Sequence, residues 1–184
     1  MRTRMRILTL CGSLRARSSN QAILQAYERL ASAKMQFTHY DRLGALPHFN
    51  PDLDEESALA PEEVAALRSH IAGANAVIIS TPEYAHALPG TFKNALDWLV
   101  STPAFVGKPV VILHAARGSQ WALDSLKEVL TTMSAKILEQ ASVLLPLGSN
   151  QMDADAILLH AELHSLLLRS IERLEKELPA TPRH

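Results

Sequence analysis

Short apolar runs alternate with amphipathic stretches along this chain. Ile7-Leu8-Thr9-Leu10, Ala76-Val77-Ile78-Ile79 and Val110-Val111-Ile112-Leu113 have strand length and no inside–outside alternation. That pattern belongs to parallel strands covered on both faces. Strands are predicted at 6–11, 35–40, 76–79, 109–113 and 136–145. Between them, helical spacing recurs: Ile23, Tyr27 and Leu30 in a helix over 20–30, and Phe92, Ala95, Leu96 and Leu99 after Pro89-Gly90. Pro61-Glu62-Glu63 opens a further helix, with proline at the start and acids in the first turn, and Gly73 closes it. Helices are also expected over 121–133 and, as one long element, over 153–178. Residues 41–57 contain Gly44, Pro47 and Pro51 and read as a long surface loop.

Strands alternating with helices require crossover connections, hence a parallel sheet. Right-handed crossovers leave a doubly wound α/β fold of five strands in the order 2-1-3-4-5, with helices on both faces, as the simplest arrangement. In such a sheet the loops at the carboxyl ends of the strands form the ligand site. Two of these carry the chemistry here: 12–20 after the first strand and 80–90 after the third.

Composition narrows the classes. With 184 residues, 47% of them hydrophobic, the chain suits one domain over 1–184 with a sizeable core. A formal charge of −1 argues against a nucleic-acid binder. Cys11 is the sole cysteine, so a disulfide framework is excluded and a reducing compartment fits. No run approaches membrane-spanning length. The expectation is a soluble cytoplasmic protein.

The first junction, Gly12-Ser13-Leu14-Arg15-Ala16-Arg17-Ser18-Ser19-Asn20, combines hydroxyls, an amide, two guanidinium groups and a helix N-terminus. That set suits a phosphate. It also suits a plain polar turn in which Ser18 or Ser19 caps the helix. The same segment places Arg17-Ser18 after Cys11 and five intervening residues. This spacing resembles the phosphate loop of low-molecular-weight tyrosine phosphatases, with Cys11 as a thiolate nucleophile and Arg17 as the phosphoryl clamp. Those enzymes carry an Asp-Pro near the C-terminus, and this chain has no Asp-Pro.

A second resemblance is longer. Gly12-Ser13-Leu14-Arg15 with Ser18 and Asn20, then Pro82-Glu83-Tyr84, Pro89-Gly90 and Lys93-Asn94-Ala95-Leu96-Asp97-Trp98, resembles the NADPH-dependent FMN reductase family. The family includes chromate, quinone and azo-dye reductases. The resemblance implies a flavodoxin-like fold, bound FMN, NADPH or NADH as electron donor, a small-molecule acceptor and a homodimer or homotetramer. It further implies that Ser13, Arg15, Ser18 and Asn20, with Ser19 beside them, hold the FMN phosphate. Pro82, Glu83, Tyr84 and Ala85 would border the isoalloxazine ring, with Ala116 and Gly118 from the loop after the fourth strand. The chain departs from the family at Ala85 and Ala87, where members usually carry Asn and Ser, at His114-Ala115-Ala116-Arg117-Gly118-Ser119, where they place small hydroxyls, and in lacking the Gly-Gly-x-Arg found beyond. Fewer side-chain donors near the ring would weaken FMN binding or shift its potential. A flavodoxin-like electron carrier is a further alternative, against which the near-neutral charge stands, and a family member that has lost its cofactor, suggested by Ala85, Ala87 and Ala116, is another.

Histidines elsewhere in the chain offer metal or cleft roles. His160 and His164 are four apart on the last helix, but a third ligand and the His-Glu-x-x-His pattern are both missing. His86 and His114 fall at the mouth of the expected cleft. Lys93 reads as part of a solvated helix face, a reading also open for Asn94 and Asp97, and Trp98 reads as core.

Overall fold

The computed structural model describes residues 4–55, 60–115, 120–149 and 151–178. Its strands are β1 (Met5–Cys11), β2 (Met35–Tyr40), β3 (Ala76–Ser80), β4 (Pro109–Ala115), β5 (Lys136–Ile137) and β6 (Val143–Leu145). Its helices are α1 (Ser19–Leu30), α2 (Glu62–Gly73), α3 (Gly90–Asp97), α4 (Trp121–Thr132), α5 (Ala154–Leu159) and α6 (Ala161–Glu177). All strand pairs are parallel and the order is β2-β1-β3-β4-β5, with β6 also on β4. This is the expected flavodoxin-like arrangement with a sixth strand added.

The extra strand arises because the predicted 136–145 strand is interrupted. Lys136 and Ile137 pair with Pro109 and Val110, and Val143 to Leu145 pair with Leu113 to Ala115. Between them the chain turns, with Ser142 N–H donating to Leu138 O at 2.8 Å, and exposes Glu139 and Gln140. The Ile112 N–H, left without a strand partner there, donates to Ser142 Oγ at 3.0 Å. A side chain thus bridges the gap in the ladder, as buried backbone donors demand.

Strand alternation divides the core between the sheet faces. Leu8, Leu10, Val77, Ile79, Val110 and Ile112 pack with α2, α3 and α4. Ile7, Ala76, Ile78, Val111 and Leu113 pack with α1, α5 and α6. Every residue of β3 is buried, which explains its unbroken apolar sequence.

The predicted 153–178 helix is broken at His160, whose extended backbone (φ −81°, ψ 108°) ends α5 and starts α6. His160 Nδ1 accepts the Leu163 N–H at 3.5 Å, so this residue is a cap. No metal-holding group of His, Cys, Asp and Glu occurs among the described residues.

Within the predicted 41–57 loop, the described residues 41–55 are anchored by α3. Asn94 Nδ2 and Trp98 Nε1 both donate to Pro47 O, at 2.9 and 2.8 Å, while Asn94 Oδ1 accepts the Phe49 N–H at 2.7 Å. Asn94 therefore clamps a loop instead of facing solvent. Lys93 and Asp97 do form the surface ion pair their four-residue spacing allows, at 2.5 Å. Trp98 is fully buried, as expected.

Candidate functional site

The first and third strands end side by side, and their exits touch. Gly12 N–H donates to Ser80 O at 2.9 Å, and a Cβ on Gly12 would lie 2.1 Å from Thr81 Oγ1 and 3.1 Å from Thr81 Cα. Only glycine lets the two loops approach this closely. Behind them, Asn20 at the start of α1 is buried, with its Oδ1 2.9 Å from the Ser80 hydroxyl. The same hydroxyl lies 2.8 Å from Leu113 O, so one serine ties α1, β3 and β4 together beneath the cleft.

Above this tie lies a cleft of about 300 Å³ lined by Ser13, Arg15, Ser18, Ser19 and Asn20 on one side. Pro82, Glu83, Tyr84, His114 and Ala115 line the other. It sits over the carboxyl ends of β1, β3 and β4, where the chain reverses its direction of winding. Ser18 is the N-cap of α1, accepting the Gln21 N–H at 3.4 Å, and the first turn carries no acid. The Ser13 hydroxyl accepts the Arg15 N–H at 3.3 Å. A guanidinium, three hydroxyls, an amide and free helix N–H groups thus converge on one end of the cleft.

The second junction is shaped by a tight turn. Tyr84 and Ala87 exchange both backbone hydrogen bonds at 3.0 Å, and Ala85 (φ 51°) and His86 (φ 60°) occupy its two central positions. Positive φ at both is the type I′ geometry that usually selects Asn-Gly. Glu83 reaches across to α4, its Oε2 accepting the Ala122 N–H at 3.0 Å, and its Oε1 lies 3.5 Å from His86 Nδ1. The His86 ring meets Trp121 edge-on, with centroids 6.1 Å apart.

Eight of the sequence-predicted residues therefore meet in this cleft: Ser13, Arg15, Ser18, Ser19, Asn20, Pro82, Glu83 and Tyr84. Ala85 lies beside it in the exposed turn, and Ala116 and Gly118 fall outside the described residues. The set missed Ala115, whose place at the end of β4 was the available signal. His114, expected at the mouth, is instead buried in the cleft wall.

The phosphatase alternative fails on geometry. Burial pushes the Cys11 thiol up, and hydrogen bonds from the Ser13 backbone and Ser18 only partly offset it. Arg17 is exposed and is absent from the cleft lining. A protonated thiol without its guanidinium clamp is no nucleophile for phosphate esters.

A donor-rich end beside a tight turn, at the switch point of a doubly wound sheet, is the arrangement of the flavodoxin-like class. Comparison with known proteins makes the class specific. The family model for NADPH-dependent FMN reductase matches residues 5–150, and the chain belongs to that family. It is therefore an NAD(P)H-dependent oxidoreductase that uses FMN. A quinone reductase of Escherichia coli (strain K12) is 30% identical over 158 residues, covering 83% of this chain and 84% of the relative. An NAD(P)H-dependent FMN reductase of Pseudomonas aeruginosa is 31% identical over 177 residues, covering 93% and 94%. Among solved structures, FerB, a flavoenzyme NAD(P)H:(acceptor) oxidoreductase from Paracoccus denitrificans, superposes with a TM-score of 0.66 at 26% identity. That match covers 94% of this chain and 98% of FerB.

Proposed function

We propose that this chain is a quinone-type reductase whose FMN is held by the cleft residues named above. Ser13, Arg15, Ser18, Ser19 and Asn20 bind the phosphate, and Pro82, Glu83, Tyr84 and Ala85 border the ring, with Ala116 and Gly118 from the loop after β4. When bound, FMN supplies two-electron chemistry between NADPH or NADH and an acceptor. The chain's own work is positioning. Arg15 and the α1 N-terminus neutralise the phosphate, worth about 1.5–3 kcal/mol per charged hydrogen bond. The Pro82-Glu83-Tyr84 wall is braced against α4 by Glu83, so the ring would meet a preformed surface. The observation that carries this reading is the convergence of both motifs on one cleft.

The relatives named quinone reductase favour a quinone acceptor, the Escherichia coli protein and a 2-hydroxy-1,4-benzoquinone reductase of Burkholderia among them. No helix among the described residues is long and apolar enough to cross a membrane, in keeping with a cytoplasmic protein built as one domain over 1–184. Leu159 and Leu168, 86% and 39% exposed, together with exposed Leu144, support a homodimer or homotetramer.

The test is a visible spectrum after incubation with FMN and desalting, followed by turnover with NADH or NADPH and a benzoquinone. Retained flavin bands and ping-pong kinetics are expected. A colourless, folded protein would overturn the assignment. Arg15→Ala should weaken FMN retention about 10-fold or more.

A further inference from the structure

We propose that His86, at the rim of the cleft, is the proton donor to the quinone acceptor, with the Glu83 carboxylate positioning its ring. The idea rests on the reductase reading above and adds a role for a residue outside the cofactor set.

Three observations meet at His86. Its backbone is held at φ 60°, next to Ala85 at φ 51°, in a turn whose central positions ordinarily take Asn-Gly. A left-handed conformation at a histidine costs energy and persists only where the surroundings impose it. The side chain is then held in a definite place: Nδ1 is 3.5 Å from Glu83 Oε1, and the ring rests edge-on against Trp121 at 6.1 Å. Finally, the imidazole is 73% exposed while its carboxylate partner is only 17% exposed and lines the cleft. A solvent-exchanging acid is therefore tethered to the wall of the site. Among the described residues, the groups facing the ring are Glu83 from its own loop and the uncharged Trp121 indole from α4, whose first turn also carries Asp124.

The reaction needs such a group. NAD(P)H supplies a hydride, two electrons and one proton, whereas a quinone becomes a hydroquinone by gaining two electrons and two protons. The balance is NAD(P)H + H⁺ + quinone giving NAD(P)⁺ + hydroquinone. Once the electron pair and one proton have reached the quinone, the other oxygen is a phenolate. The His86 Nε2–H bond breaks and an O–H bond forms at that phenolate, leaving neutral imidazole, which takes its proton back from water. With Nδ1 turned to Glu83, Nε2 is the end available to the acceptor. Histidine suits the task because its ordinary pKa lies near the working pH.

The test compares benzoquinone with ferricyanide, an acceptor that takes electrons without protons, on FMN-loaded protein. The variant is His86→Asn, because asparagine tolerates positive φ and keeps the turn. At pH 7 to 8, benzoquinone turnover should fall about 10- to 100-fold while ferricyanide turnover stays unchanged. Added imidazole should restore the quinone rate. Equal losses with both acceptors, or none with either, would overturn the donor role and leave His86 as a packing residue. A parent protein that reduces neither acceptor would sink the reductase reading itself.

Discussion

Glu83 Oε2 accepts the backbone N–H of Ala122 at 3.0 Å, so a carboxylate from the loop after β3 caps the first turn of α4. Gln120, at the N-cap position, makes no side-chain capping bond of its own. One residue thereby joins two edges of the cleft, and removing it should act on both. Glu83→Ala is expected to cost about 1 kcal/mol of stability, typical of a lost cap. That corresponds to a fall of about 2–4 °C in Tm for a chain of this size. FMN retention should weaken beyond what the stability loss explains. Glu83→Gln keeps an acceptor oxygen and should recover most of the Tm. Thermal unfolding of both variants with and without FMN checks this.

The contact between Gly12 and Thr81 makes a steric prediction. Gly12→Ala would place a methyl 2.1 Å from Thr81 Oγ1 and 2.6 Å from its Cβ, a separation that demands movement of one strand exit. Overpacking of this sort costs about 1–3 kcal/mol. Because the displaced loops are the two halves of the cleft, flavin retention should fall with stability. Thr81→Gly in the same chain removes both close atoms and leaves the 3.1 Å approach to Thr81 Cα, so it should restore part of each loss. A single variant as stable and as yellow as the parent would show that the loops are not in contact.

Much of this architecture was legible because it is written in local patterns. The unbroken apolar runs at β3 and β4 announce strands buried on both faces, and Ser18 announces the start of α1. The cleft residues were legible for a related reason: they lie in the two loops that any sheet of this order brings together. What escaped depends on contacts distant in sequence. The gap between β5 and β6 is closed by Ser142 bonding Ile112, thirty residues away. Asn94 looks solvated on a helical wheel, and only the return of Pro47 and Phe49 over α3 gives it partners. The break at His160 is of another kind. Its neighbours are all compatible with helix, and the ring's capping bond to Leu163 N–H appears only once α6 turns away from α5.

Burial of the Cys11 thiol separates the surviving reading from the phosphatase one. A thiol held protonated reacts slowly with alkylating agents, because the thiolate is the reactive form. Iodoacetamide at pH 7.5 should therefore modify Cys11 much more slowly in the folded protein than in urea. Hydrolysis of p-nitrophenyl phosphate should be absent from the parent. Cys11→Ala should leave NAD(P)H oxidation within about 2-fold of the parent, since the side chain supplies no step of the chemistry. Loss of a phosphatase activity on that substitution would reverse this assignment.

Asp54 governs the acid side of the stability profile. Burial by itself would raise its pKa, but the Ser101 hydroxyl and the Arg68 guanidinium outweigh this and hold the carboxyl below its usual range. Arg68 bonds Asp54 Oδ1 at 2.6 Å and Ser101 donates to Oδ2 at 2.5 Å, while Arg68 also donates to Trp98 O at 2.6 Å. The cluster thus ties the 41–57 loop to the end of α3. A carboxyl whose folded pKa is depressed contributes stability that is complete above its unfolded pKa of about 3.9 and drains away as pH falls through the folded value. Glu175 behaves alike, held low by the Ser32 hydroxyl and then by Lys34, against the effect of burial. Parent Tm should accordingly hold steady from pH 7 to about 5 and drop steeply below about 4. Asp54→Asn should lose about 1–3 kcal/mol at pH 7, where Arg68 is left without its carboxylate. Below the folded pKa of Asp54 the two proteins should converge, because the parent has by then surrendered the same interaction. Coincident Tm profiles from pH 7 to pH 3 would mean that Asp54 and Arg68 contribute nothing to folding, whatever their separation.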